Sequence, residues 1–284
     1  MRTFILGVGA QKSGTTWLHA QLDKQPSFTR SFTKEHHIFD AIHLPECVGF
    51  RTNVELKAMD LLKSGHESYE GHPIMKRLAM LADPNQYFAH FNAIIPNPTG
   101  MSADITPSYS GLPIQVLRKI RNRFDRLGIT VKVVFLMREP ITRAESAMRN
   151  HLRDQGKIQD VTEAEANRKL LRQVGSEEDA LRSSYHLTVR NLRKVFSSEN
   201  IYLGFFETMF EDSELNRIAE FLKIDPSLFD TGKVVNASPA KILYPSESML
   251  QMRKHYSTVY EFVKSEAGFD TSIWDAAVGK ITAS

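Results

Sequence analysis

An apolar run, Phe4-Ile5-Leu6-Gly7-Val8, leads straight into Gly9-Ala10-Gln11-Lys12-Ser13-Gly14-Thr15-Thr16. This order requires a short buried strand, a glycine-bearing turn and a helix that begins near Thr15. The first-turn N–H groups of such a helix, with the positive end of its dipole, form an anion site. Gly9 and Gly14 keep the spacing of the G-x-x-x-x-G-K-[ST] phosphate loop, and Thr16 fills its Ser/Thr position. The lysine position holds Thr15 instead, and the basic residue is Lys12, inside the loop. Glycine lets the backbone approach a ligand, the two threonines offer hydroxyl donors, and Lys12 offers a mobile point charge. The plain alternative is a strand–turn–helix corner carrying an exposed lysine.

A second apolar strand, Val131-Lys132-Val133-Val134-Phe135-Leu136-Met137, ends in Arg138. A magnesium-dependent P-loop kinase usually places an aspartate there. The segment that follows is Arg138-Glu139-Pro140-Ile141-Thr142-Arg143-Ala144-Glu145-Ser146. Pro140 suits the first turn of a helix. Arg138 can present a forked pair of charge-assisted hydrogen bonds to a phosphate. Ser146 falls about two helical turns further on.

The string Gln11-Lys12-Ser13-Gly14-Thr15-Thr16-Trp17-Leu18 resembles the 5′-phosphosulfate loop of sulfotransferases. These enzymes move a sulfuryl group from 3′-phosphoadenosine-5′-phosphosulfate (PAPS) to a hydroxyl or amine, without a metal. Arg138 and Ser146 match the family's 3′-phosphate clamp. Thr33-Lys34-Glu35-His36-His37-Ile38-Phe39-Asp40 and Asp104-Ile105-Thr106-Pro107-Ser108-Tyr109 are similar to segments of the heparan-sulfate, carbohydrate-type branch. The resemblance implies PAPS as donor co-substrate, and a donor site of Gln11, Lys12, Ser13, Gly14, Thr15, Thr16, Arg138 and Ser146. It adds Trp17 as a ring that stacks on adenine or joins the core, and Tyr185 as a neighbour of the nucleotide or a packing residue. Lys241 stands in for the basic residue of a closing loop. Glu35 is the implied general base, with His37 as the alternative, and Lys12 stabilises the leaving oxygen. Ile105 occupies a position where the family often has a lysine. Two other readings stay open: a P-loop kinase for a small metabolite, and a PAPS- or nucleotide-binding module without acceptor chemistry.

The 284 residues suffice for one large α/β domain, taken as spanning 1–284. A formal net charge of +3 argues for no nucleic-acid role. The single cysteine, Cys47, rules out an intramolecular disulfide and suits the reducing cytoplasm. No apolar stretch reaches the length of a membrane span. His66, His72 and His90 lack ligand-like spacing with acids, so no metal site is expected. The implied partner is an acceptor small molecule or glycan. The segments around 41–100 and 154–176 are expected to border the acceptor.

Apolar runs alternate with amphipathic stretches. They predict strands at Thr3–Gly9, Ser102–Ile105, Val131–Met137 and Ile201–Phe205. Helices are expected at Thr15–Lys24, around 52–64, across 73–94 with a break at Pro84, and at Ile114–Leu127, Ile141–Arg153, Thr162–Arg172, Glu177–Phe196, Ser213–Leu222 and Glu247–Lys264. The order implies an α/β fold: a single P-loop-type domain with a central, mainly parallel sheet flanked by helices on both faces, plus helical insertions.

Overall fold

The computed structural model describes residues 1–65, 69, 71–232, 242–266 and 268–283. The phosphate-loop strand β1 (Arg2–Gly9) lies in the middle of a four-stranded sheet. Its neighbours are β2 (Met101–Ile105) and β3 (Ile129–Met137), and β4 (Ile201–Phe205) pairs with β3. All three pairings are parallel, with Leu6 opposite Asp104 on one side and Val133 on the other.

Successive residues of a strand face opposite sides, and here both sides are buried. Phe4, Leu6, Val8, Val133 and Phe135 enter the larger apolar cluster, together with Tyr87, Phe91 and Phe124. Ile5, Ala103, Ile105, Val134 and Leu136 enter a second cluster with Trp17, Leu18 and Leu222. This is why the strands read as continuous apolar runs and not as alternating ones.

Helix α1 (Thr15–Leu22) leaves the phosphate loop. The chain then runs beside β2, where Thr29 N donates to Met101 O (2.8 Å), and delivers the Glu35 segment. Four helices make an insertion before β2: α2 (Phe39–His43), α3 (Val48–Lys63), α4 (Pro73–Ala82) and α5 (Asn85–Ile94). Between β2 and β3 lie a short 3-10 turn (Pro107–Gly111) and α6 (Ile114–Arg126), which ends at Gly128 with φ +68°. After β3 come α7 (Pro140–Asp154), α8 (Glu163–Val174), α9 (Glu177–Ser183) and α10 (Tyr185–Arg193). Helix α11 (Asp212–Leu222) follows β4, and α12 (Ser246–His255), α13 (Ser257–Glu266) and α14 (Ser272–Gly279) complete the described chain.

The α/β class and the parallel sheet are as expected. Two predicted helices are each divided. The stretch 177–196 breaks at Ser184, whose ψ of 61° is not helical, and 247–264 breaks at Tyr256. Helices α2 and α14 were not foreseen; both are short, and their form depends on packing of Phe39 and Trp274 into the core.

Candidate active site

The loop after β1 turns on two glycines. Gly14, the residue before α1, has φ +84°, and a Cβ there would meet Met209 Sδ at 2.4 Å. No side chain caps α1, so its first-turn N–H groups are left to face the cleft beside the loop. That cleft, about 970 Å³, is lined by Gln11, Lys12, Gly14, Thr15, Thr16 and the edge of Trp17. Lys34, Glu35 and His37 form a second wall, and Arg138, Ser146, Arg149 and Asn150 a third. Residues from three distant stretches of sequence thus share one cavity at the C-terminal end of the sheet, where open α/β sheets bind ligands.

Lys12 adopts a left-handed backbone, φ +67°, and its Nζ donates to Asn150 Oδ1 (3.0 Å). Burial, together with the Arg153 and Arg138 charges, lowers its pKa from the usual lysine value. Arg138 donates from its guanidinium to Lys12 O (2.9 Å), and its Cζ lies over the Phe206 ring, 4.5 Å from the ring centroid. Its Nε is buried with no partner. A buried donor without an acceptor is costly, and an incoming phosphate would relieve it. The residues present therefore fit a nucleotide phosphate.

The Glu35 wall is a charge network. Lys34 Nζ donates to Thr16 Oγ1 (3.0 Å) and pairs with Glu35 Oε1 (2.7 Å). His37 Nε2 lies 3.2 Å from Glu35 Oε2, and its Nδ1 2.6 Å from Asp40 Oδ2. The ring stacks on Phe50 at 3.7 Å. Burial alone would lower the imidazole pKa, but hydrogen bonds to Asp40 and Glu35 outweigh it and hold the pKa at about 9. Burial would raise the Glu35 pKa, yet the His37 hydrogen bond and the Lys34 ammonium bring it below the usual carboxylate value. At neutral pH the pair is imidazolium and carboxylate.

The segment is set by a buried carboxylate beneath it. Asp104 accepts from Thr106 Oγ1 (2.6 Å), Tyr87 OH (2.8 Å), Tyr109 OH (3.0 Å) and His36 N (3.3 Å). Burial opposes its charge, but His36 and these donors hold its pKa at about 2. His36 is thereby drawn into the core while Glu35 and His37 face the cleft. His37 itself has a left-handed backbone, φ +52°.

The sulfotransferase-domain model matches residues 2–266. The chain belongs to the sulfotransferase family. It is a PAPS-dependent enzyme that transfers a sulfuryl group. A sulfotransferase from Alicyclobacillus acidocaldarius aligns with 97% of this chain and 99% of its own, with a TM-score of 0.58 at 17% identity. Sulfotransferase STF9 from Mycobacterium avium aligns over 95% and 76%, with a TM-score of 0.50 at 13% identity. Both share the fold. No curated protein sequence matches the chain significantly.

Within this sulfotransferase, ten of the residues singled out from sequence line the cleft: Gln11, Lys12, Gly14, Thr15, Thr16, Trp17, Glu35, His37, Arg138 and Ser146. Ser13 does not; it is fully buried with its hydroxyl turned inward. Tyr185 is also absent from the cleft wall. It is fully buried, and its hydroxyl donates to the Arg138 carbonyl (2.8 Å), so it supports the arginine from behind. Trp17 is 3% exposed; its Nε1 donates to Asp230 O (2.9 Å) and its ring packs against Phe210 and Phe229, which makes it chiefly a core residue. Lys241 lies outside the described residues. Ile105 points into the core against Gly7.

Sequence reasoning missed Asp40, Asn150 and Phe50. The first two carried a signal: Asp40 is three residues after His37, and Asn150 is one helical turn after Ser146. Phe50 carried none. Phe50 and Asp154, from the two segments expected to border the acceptor, line the cleft, as do Arg149, Asn150 and Arg182 from outside those segments.

The ionic state of His37 has a measurable consequence. Its folded pKa of about 9 exceeds the unfolded value of 6.5. Its contribution to stability is therefore complete below pH 6.5 and is lost as pH rises through about 9. Urea unfolding of wild type should show declining stability across that window, and His37→Gln should flatten the decline. Parallel profiles for the two proteins would mean that the folded imidazole is neutral.

Proposed function

We propose in-line transfer of the sulfuryl group from PAPS to a carbohydrate-like hydroxyl, or an amine, with Glu35 as general base. The carrying observation is that the Glu35 carboxylate, the Lys12 ammonium and the loop threonines line one cleft. The loop amides, Thr15 and Thr16 hold the 5′-phosphate, and Arg138 and Ser146 hold the 3′-phosphate. The acceptor oxygen loses its proton to Glu35 and bonds to sulfur. The bond from sulfur to the bridging oxygen breaks, and Lys12 stabilises the charge that grows on that oxygen. Charge stabilisation of this kind is usually the largest contribution to catalysis.

The support for Glu35 over His37 is electrostatic. A group whose pKa is held at about 9 is already protonated at neutral pH and cannot accept a proton. His37 instead holds the carboxylate in place and is itself held by Asp40. Lys34 reaches the cleft where Ile105 does not, and it supplies a second cation toward the transferred group. Phe50, Ser108, Arg149 and Asn150 line the same cleft, a mixture of apolar ring and polar groups that suits a saccharide, with an apolar face and several hydroxyls. Among the described residues no helix is long and apolar enough to cross a membrane.

Transfer should need no metal. Arg138 follows the last residue of β3, where a kinase would carry its metal-binding aspartate. Transfer of radiolabelled sulfate from PAPS to a panel of glycans and phenols should survive EDTA. Activity lost in EDTA and restored by magnesium, with ATP as the donor, would favour a kinase. Donor binding without turnover on any acceptor would favour a binding module.

A further inference from the structure

The peptide unit between Arg138 and Glu139 is gripped at both of its polar atoms. Its carbonyl accepts from Tyr185 OH (2.8 Å), and its N–H donates to Glu207 Oε1 (2.9 Å). The Glu139 carboxylate then caps α7, accepting from Ile141 N (3.0 Å) and Thr142 N (2.6 Å), and it also accepts from Tyr260 OH. These contacts set the direction in which the Arg138 side chain leaves the sheet.

One side chain touches both groups that hold this unit and also Tyr260, which bonds the Glu139 carboxylate. Trp274 is fully buried, and its Nε1 donates to Glu207 Oε2 (3.0 Å). Its ring meets Tyr260 edge-on at 5.5 Å and Tyr185 at 6.5 Å. Trp274 sits on α14, beyond residue 266, where the family match ends. Its partners Tyr185, Glu207 and Tyr260 all lie within the matched region.

We propose that Trp274 is a positioning residue for the 3′-phosphate clamp, so that the C-terminal helix of this chain belongs to the donor site. The inference rests on the reading of Arg138 as the 3′-phosphate ligand. The indole N–H fixes Glu207, Glu207 fixes the Glu139 N–H, and that peptide aims the guanidinium. A buried carboxylate that loses a donor re-orients or takes up a proton. Either change loosens the aim of Arg138 without touching the nucleotide.

The test compares binding of 3′-phosphoadenosine-5′-phosphate (PAP) with binding of AMP by calorimetry, on the full chain. Trp274→Phe keeps most of the ring packing and removes the N–H. PAP affinity should fall about tenfold while AMP affinity changes less than about twofold, so the PAP-to-AMP ratio shrinks. Glu207→Gln, which can accept from only one of the two donors, should shrink it similarly and serves if Trp274→Phe does not fold. A purely structural role for Trp274 would lower thermal stability and leave the ratio at its wild-type value, and that result would overturn the proposal. The wild-type ratio separates the two levels. If wild type itself shows no preference for PAP, the reading of Arg138 fails. If wild type and Arg138→Ala differ but Trp274→Phe and Glu207→Gln match wild type, the positioning role alone fails.

Discussion

Replacing Glu35 by glutamine is expected to lower turnover about 100-fold or more while PAPS affinity stays near wild type. The substitution keeps the side chain's size and removes the charge that takes the acceptor's proton. The donor is held by other residues, chiefly the phosphate loop and Arg138, so ground-state binding of PAPS has little to lose. Lys12→Ala is expected to behave differently, weakening donor binding and turnover together. Its ammonium meets the phosphosulfate before transfer and the leaving oxygen during it. The measurement is steady-state sulfate transfer, with donor affinity from calorimetry, once a glycan or phenol acceptor has been found. Wild-type turnover in Glu35→Gln, with activity abolished in His37→Ala, would assign the base to the histidine. The protonated state inferred for His37 would then be wrong in the donor complex.

The second large effect is expected at Arg138. Wild type should bind PAP far more tightly than AMP, because Arg138 and Ser146 address only the additional phosphate. Arg138→Ala should weaken PAP binding by about 1.5–3 kcal/mol, the range for a charge-assisted hydrogen bond, and should leave AMP nearly unaffected. The buried, unpartnered Nε of Arg138 points the same way. Burial lowers its pKa, and the charges of Glu207, Glu145 and Glu139 oppose that shift. Equal calorimetric affinities of wild type for PAP and AMP would remove the clamp.

Much of the donor site was legible in the sequence because its parts are local. A strand, two glycines and the start of a helix constrain one another within about ten residues, and β3 running into Pro140 does the same. The alternation of long apolar strands with helices likewise implied a parallel sheet covered on both faces, since a strand buried on both sides has no polar positions to spare. The Glu35 segment was found by its motif, whereas the direction of Glu35 and His37 depends on Asp104, which draws His36 inward, and on the left-handed His37 backbone.

Four results needed the tertiary structure. Ser13 and Tyr185 sit beside or match donor-motif positions, yet pack away from the cleft. Trp17 turned out to be mostly core because Phe210, Phe229 and Asp230, some two hundred residues away, close over it. The protonation of His37 depends on Asp40 and on burial, and burial is set by α3 and Phe50. Trp274 carries no motif at all, and only its packing relates it to Arg138. The physical division is between range and type of interaction. Backbone geometry and helix-terminus electrostatics act over a few residues and leave a pattern in the sequence. Desolvation, hydrogen-bond partnership and the aim of a charged side chain are set by whichever distant residues the fold brings alongside.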